Sequence, residues 1–386
     1  MKWRWGSALG VVRRRLATVS ALVLAVVVAG TVPTPATAAV ALGSTPAASW
    51  RVNGRVYAAL QVGNTVYLGG DFTAAISPTG QQVARQRLAA FTMDTGALVT
   101  GWRADAGATV RALATDGTWL YAGGAFGRVA GQPRSRLARV SLTTGGLDPG
   151  FAPTLDAAVR GLAVSGGSLY AGGTFATVNG TTHNHVVKLD AATGAVDPAF
   201  TASVGGVGVF GVVMSPVSDT VFLAGQFPTV NSRSRVGLAA VDGATGALVG
   251  PAFAQSVNPM LAVDVSDDGT MVFGGGGTGT NGAYGWQAAT GQLTWRRSAD
   301  GDVQAIDFFD GEVYFGFHDG FGGDPTTKIR AADAATGVLD PDFVPVFDRF
   351  WGVFAIDVTE QGLVLGGDFT TVSGVPARCW ARFLAG

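Results

Sequence analysis

The chain predicts an all-β fold: a seven-bladed β-propeller with four-stranded blades, closed by the N-terminal strand completing the last blade. Three observations carry this. An apolar pair followed by Gly-Gly-x-Phe recurs seven times, a Thr-Gly turn follows each copy except the last, and a spare strand at the start matches a strand missing at the end. Recurrence every ~40–55 residues is the mark of a propeller or a solenoid rather than of two unrelated domains.

The first 38 residues are set aside as a secretory signal. Lys2, Arg4 and Arg13-Arg14-Arg15 form a basic start, Leu16 to Val28 is mostly apolar, and Ala36-Thr37-Ala38 supplies small residues at a cleavage site. The apolar run is shorter than the ~20 residues a spanning helix needs, which disfavours an uncleaved anchor. Residues 39–386 are then the propeller, exported and outside the cell or in its envelope, with no membrane span in the mature form.

The repeats begin at Tyr67-Leu68-Gly69-Gly70-Asp71-Phe72 and continue through Tyr121–Phe126 and Tyr170–Phe175. Phe222–Phe227 has lost one glycine, Val272–Gly275 lacks the Phe, Tyr314–Phe317 is shortened, and Val364–Phe369 restores the full form. The turns are Thr95-Gly96, Thr144-Gly145, Thr193-Gly194, Thr245-Gly246, Thr290-Gly291 and Thr336-Gly337. Asp and Thr side chains bond nearby amides and Gly accepts positive φ, so such segments suit tight hairpins. An aromatic leads out of each unit: Trp50, Trp102, Phe151, Phe200, Phe253, Trp295 and Phe343.

In the second unit these marks predict strands over 110–115, 120–126, 136–142 and 147–153, each bounded by turn residues. The paired glycines allow neighbouring sheets to approach closely, and the following Phe fills the gap between them. The last unit ends after its third strand, at 378–384. The segment Ser49-Trp50-Arg51-Val52 matches Gly101-Trp102-Arg103-Ala104, an outer strand with no unit of its own. An open solenoid, the competing architecture, needs polar caps at its ends, whereas a ring uses the spare strand and hides its edges.

Composition narrows the function classes. The chain has 26 Lys+Arg and 27 Asp+Glu; removing the five basic residues of the signal leaves 21 against 27, a net of −6. That excludes electrostatic nucleic-acid binding, which needs clustered cations. Cys379 is the one cysteine, so neither an internal disulfide nor a multi-cysteine metal site is available.

At these motifs the chain resembles the bacterial secreted β-propellers built from delta-60 repeats, with their Gly-Gly-x-Phe and Asp-x-x-Thr-Gly-x-Leu-Asp-x-x-Phe signatures. Asp190–Phe200 (DAATGAVDPAF) and Asp333–Phe343 (DAATGVLDPDF) are the nearest copies. The resemblance covers residues 39–386 and implies an extracellular propeller without assigning a role. A more distant similarity is to quinoprotein propellers. Thr290-Gly291-Gln292-Leu293-Thr294-Trp295 fits half of their repeat, but Gln287 stands where the Asp belongs, and a single cysteine rules out their vicinal pair. No cofactor is expected.

Catalytic candidates are few. His183-Asn184-His185 places two imidazoles on one side of an extended segment, a candidate metal pair, against the plainer reading of a solvated loop-to-strand junction. Glu312 and Glu360 are the only glutamates, and Asp264, Asp267 and Asp268 before Gly269 read as a hairpin turn rather than a calcium loop. No Gly-x-Ser-x-Gly elbow or phosphate loop is present.

The remaining candidates are residues on loops around one mouth of the ring: Arg103, Asp105, Arg160, Arg233, Arg235, Asp302, Arg349 and Trp351. Arginine beside aromatics suits carboxylate, sugar or protein recognition, while the plain alternative is a charged, solvated rim. The sequence therefore points to a monomeric binding module for a protein or glycan. A glycan-active hydrolase or lyase, a cofactor-using oxidoreductase, and a structural cell-envelope component are the alternatives. Scarce His and Glu favour binding over acid–base catalysis.

Overall fold

Apolar runs of four to eight residues, closed by glycine turns, build almost everything in the computed structural model, which describes residues 42–386. The expected export signal, residues 1–38, lies outside the described residues. Ala39–Gly386 cluster as one unit, and the fold is an all-β propeller-like assembly.

Among the described residues, seven antiparallel sheets repeat one plan, in which a second strand pairs back on the first and a third on the second. They are formed by Val56–Val62, Thr65–Gly70 and Leu88–Thr92; Val110–Thr115, Trp119–Gly124 and Leu137–Ser141; Val159–Ser165, Ser168–Gly173 and Val186–Asp190; and Gly208–Met214, Thr220–Gln226 and Leu238–Asp242. The last three are Met260–Val265, Met271–Gly276, Gly282–Gln287 and Leu293–Ser298; Val303–Phe309, Glu312–Phe317 and Ile329–Asp333; and Gly352–Thr359, Gly362–Asp368 and Trp380–Leu384. Second strands are buried almost throughout, as strands covered on both faces must be.

The glycine pair explains the spacing of the sheets. A Cβ on Gly69 would fall 2.6 Å from Cγ1 of Val110 in the next sheet, and one on Gly123 would fall 2.5 Å from Cγ1 of Val159. Gly172 meets Val209 and Gly316 meets Val353 in the same way, and Gly366 of the last sheet faces Val56 of the first. In the fourth sheet Ala224 takes this place, and the next sheet answers with Met260, unbranched at Cβ, in one apolar cluster. The Phe after the glycines, at 72, 126, 175, 227 and 369, is buried as expected.

Polar latches add to this packing. Asp264 Oδ2 accepts the Phe308 N–H, Asp307 Oδ2 that of Val358, and Asp357 Oδ2 that of Gln61, each at 2.6 Å. The last joins the seventh sheet to the first. Asp264 thus lies inside a strand, not in the turn with Asp267 and Asp268 where its spacing suggested.

Five of the lead-out aromatics pack edge-on against the second strand of their own unit, while Trp295 stacks on Phe273 at 6.0 Å. Tyr67–Trp102, Tyr121–Phe151, Tyr170–Phe200, Phe222–Phe253 and Tyr314–Phe343 have centroids 5.4 to 6.3 Å apart. Trp50 departs from this pattern: Ser49 is buried, and Trp50 is only half-buried.

Two expectations are corrected. A regular fourth strand forms in the fifth sheet alone, at Leu293–Ser298; elsewhere the position shrinks to a single bridge, at Leu98, Leu147, Val196, Leu248 and Leu339. Pro149, Pro198, Pro251 and Pro341 follow within a few residues in four of those units and have no N–H to donate, whereas the fifth unit has no proline there. The N-terminal segment does meet the last sheet, but at Ala47, which bridges Arg382. Arg51–Val52 pairs instead with Ala74–Ile76 of the first unit.

Short hairpins after Gly-Gly-x-Phe, unforeseen from the sequence, turn at Ala130-Gly131, Asn179-Gly180, Asn231-Ser232 and Ser373-Gly374. Both tip residues have positive φ, which matches the twist of the paired strands. These hairpins and the loops entering each first strand share one face of the molecule, because first and second strands are antiparallel.

Candidate functional site

Each first strand carries a β-bulge at one place, between Val56 and Ala58, Val110 and Ala112, Val159 and Gly161, Val209 and Gly211, Met260 and Ala262, Val303 and Ala305, and Val353 and Ala355. The extra residue of a bulge leaves the ladder and is re-aimed. The seven so freed are Tyr57, Arg111, Arg160, Phe210, Leu261, Gln304 and Phe354, and all line one cavity of about 330 Å³. The first strands start at this end, so it opens on the face that carries the hairpins.

The lining is uneven. Arg111 and Arg160 come from neighbouring sheets, with Tyr57 and Phe210 on either side. The Arg111 guanidinium lies 4.8 Å from the Tyr57 ring centroid and that of Arg160 4.0 Å from Phe210. Tyr57 stacks on Phe354 at 5.3 Å. Among the described residues neither arginine has a carboxylate within 4 Å or donates a hydrogen bond to the protein. Burial, with a smaller contribution from Arg111, pushes Arg160 down to about 10. On the far wall Gln304 Nε2 is enclosed and has no partner.

Three residues further along their strands stand Asp264, Asp307 and Asp357. They keep some contact with water-sized space yet are surrounded by protein. Burial drives Asp264 and Asp357 up to about 7 and Asp307 well above the ordinary carboxylate value, the neighbouring carboxyls bearing on Asp307 as well. Among the described residues no group of three His, Cys, Asp or Glu side chains is placed to hold a metal ion.

Three of the rim candidates are brought together. Trp351 meets Phe350 edge-on at 5.1 Å, both contact His318, and the His318 ring nitrogen lies 3.6 Å from Asp302. Arg55 lies over Trp351 at 5.9 Å, and Arg55 and Arg349 both approach Asp368, at 3.0 and 3.9 Å. Phe350 and Trp351 are 54 % and 44 % exposed, the largest apolar side chains presented on this face. Asp302 also accepts the Thr278 N–H and so ties the preceding loop.

The other candidates lie elsewhere. Arg103 pairs with Asp105 at 2.7 Å, and Asp105 accepts the Gln86 N–H, so both hold loops together. Arg235 donates to the carbonyls of Ser234 and Gly250, repeating what Arg134 does with Pro133 and Asp148 one sheet pair earlier. Arg233 is exposed on a hairpin. His183 Nε2 lies 3.1 Å from Thr181 Oγ1, in a shallow pocket with Asn184 and Phe200. His185 holds a positive φ of 69°, as Arg87, Arg136 and Cys379 do in the same slot. Its N–H bonds the Phe175 carbonyl while its carbonyl takes the Gly173 N–H, so the backbone alone accounts for its place. Cys379 is buried, and burial pushes its thiol up to about 11.

Sequence reasoning missed Arg111, Tyr57, Phe210, Gln304, Phe354, Phe350 and His318. The axial residues had a signal: each follows a Val or Met at or next to the start of a first strand and precedes Ala or Gly. In the patch around Trp351 the candidates Asp302, Arg349 and Trp351 had a signal, whereas the approach of His318 and Arg55 had none, because the members come from three units.

Repeating sheets and the cavity they line together define an all-β, propeller-like protein. A β-propeller domain of unknown function, DUF5122, matches residues 114–151 and 167–200. No curated protein matches the chain. Among solved structures, the WD40 β-propeller domain of Doa1 is similar over 89 % of this chain and 95 % of its own, at 12 % identity and a TM-score of 0.58. The computationally designed Ika8 protein is similar over 89 % of this chain and all of its own, at 16 % identity and a TM-score of 0.53. Identities this low speak for the fold alone.

Proposed function

We propose that the chain is an extracellular binding module, a closed ring of seven blades that captures a glycan on the face where its first strands begin. The basic-then-apolar start and the small residues before Ala39 support export. A closed ring is favoured by the Gly366–Val56 contact, the Asp357–Gln61 latch and the Ala47–Arg382 bridge, each of which links the end of the chain to its beginning. The outer position of each blade is then mostly a single bridge rather than a full fourth strand.

The observation that carries the function is the exposed Phe350–Trp351 pair, ring planes at 89°, framed by Arg55, Arg349, His318 and Asp302. Sugar rings lay their C–H faces on aromatics and direct hydroxyls to charged groups at the edge, which this arrangement provides. A glycan array probed with the secreted protein and its Trp351→Ala variant tests the reading. Saturable binding to at least one glycan, lost in the variant, is the expected result; a native protein that binds no glycan overturns it.

A further inference from the structure

The cavity on the axis narrows the class of sugar. Resting on the glycan reading above, we propose that the channel mouth takes a uronate, a carboxylate-bearing pyranose whose carboxylate lies between Arg111 and Arg160 and whose ring lies along Tyr57 and Phe354.

The two arginines are the first reason. Like charges held side by side in a confined space repel each other, and burial penalises Arg160 further. Among the described residues no carboxylate offsets this. Arg111 lies over the Tyr57 ring and Arg160 over the Phe210 ring, and among the described residues the N–H edges of neither guanidinium donate a hydrogen bond to the protein. Those edges are the donors that grip a planar carboxylate with two parallel bonds.

The rest of the wall points to a ring rather than a bare anion. Tyr57, with Arg111 over it and Phe354 stacked on it, and Phe354 itself add apolar ring surface to the wall, and the Gln304 amide, whose Nε2 has no partner in the protein, lines the same cavity as a group for a hydroxyl. A cavity of about 330 Å³ falls in the size range of small-ligand sites. Phosphate would satisfy the arginines but neither of these features. The acidic trio deeper in the channel disfavours an anion passing further. Arg55, which lies over Trp351, sits two residues before Tyr57, so one short stretch of chain touches both the exposed aromatics and the cavity.

Calorimetry at low salt on the secreted protein decides the matter. The probes are trigalacturonate, its methyl ester, neutral galactose oligomers and inorganic phosphate. The proteins are the native chain, Arg111→Gln, Arg160→Gln, Arg160→Lys, Gln304→Leu and Trp351→Ala, each first checked for an unchanged melting transition. Trigalacturonate is expected to bind, at least tenfold more weakly in Arg111→Gln and Arg160→Gln, with Arg160→Lys in between. The ester is expected to bind at least tenfold more weakly than the acid, a comparison on the native protein that holds even if the arginine variants fail to fold. Equal binding of acid and ester, unchanged affinity in both Gln variants, or phosphate binding tighter than trigalacturonate each overturns the proposal. Neutral oligomers lost on Trp351→Ala but indifferent to Arg160→Gln leave the surface reading standing and sink this one. Trigalacturonate that depends on Arg160 and not on Trp351 supports the channel and sinks the surface reading. No binding of any sugar sinks both.

Discussion

Gly366, in the last sheet, faces Val56, in the first, as Gly69 faces Val110 and Gly123 faces Val159. One inter-sheet contact thus recurs between residues some forty apart and again between residues more than three hundred apart. Gly366→Val is therefore expected to destabilise the fold by about 1–3 kcal/mol, the usual result of overpacking a close-packed interior. Gly101→Ala, with nothing within 4 Å of the new Cβ, serves as control. Chemical denaturation of the two variants measures the difference, and equal midpoints would refute the contact.

The start of the chain holds its end. Ser44 bonds across to Asp342, Val344 and Ser373, Ala47 donates to the Arg382 carbonyl, and the Arg382 guanidinium donates to Ala48, Met93 and Asp94. Deleting residues 39–48 removes five of these bonds. At a net 0.5–1.5 kcal/mol each, the loss is expected to be roughly 3–7 kcal/mol. Arg382→Ala is expected to lower the melting temperature on its own and to add little in the truncated chain. Additive losses in the double variant would show that the two act separately.

Asp264, Asp307 and Asp357 predict an unusual pH profile. Their carboxyls are raised, so the folded chain keeps protons that the unfolded chain has already released above about pH 4. Stability is thus expected to fall as pH rises from about 4 through about 7. At the acid end Asp190 and Asp242, held low by the hydroxyls of Thr193 and Thr245, lose their contribution as pH drops below that range. Asp307→Asn keeps an acceptor for the Val358 N–H and removes one charge. It is expected to flatten the decline and to stabilise the protein at pH 8 by up to a few kcal/mol. Urea midpoints between pH 5 and 8 test this, and a variant less stable than the native protein at pH 8 would contradict it.

The slot of His185 is set by its backbone. His185→Gly is expected to be within about 1 kcal/mol of the native protein, since Gly237 fills the same slot one sheet later with φ of 67°. His185→Val, β-branched at positive φ, is expected to cost more. Melting curves of the two variants, with and without added zinc, separate a backbone role from a metal role. A zinc-dependent rise in the native protein that His185→Gly abolishes would restore the imidazole pair as a site.

Much of the architecture was readable along the chain. Residues 110–115 form the strand they were expected to form, and the Phe after each glycine pair is buried. The outer strands fall short of the expectation because proline, visible in Asp148-Pro149 and Asp197-Pro198, cannot make the ladder bond. Asn179-Gly180 is a local hairpin signal, and the structure forms that hairpin between Thr177–Val178 and Thr181–Thr182. Of the rim candidates, Asp302, Arg349 and Trp351 do converge, whereas Arg103, Asp105 and Arg235 spend their polar atoms on neighbouring loops.

Repeating strands, turns and glycines depend on neighbours within a few residues, and a sequence displays such neighbours directly. Arg111 beside Arg160, Asp357 against Gln61 and His318 under Phe350 depend on how successive sheets are turned about a common axis. No local pattern encodes that rotation, because it emerges from the packing of each glycine face against the next valine. The repeat was therefore written in the chain, while the chemistry gathered at its axis came into being on folding.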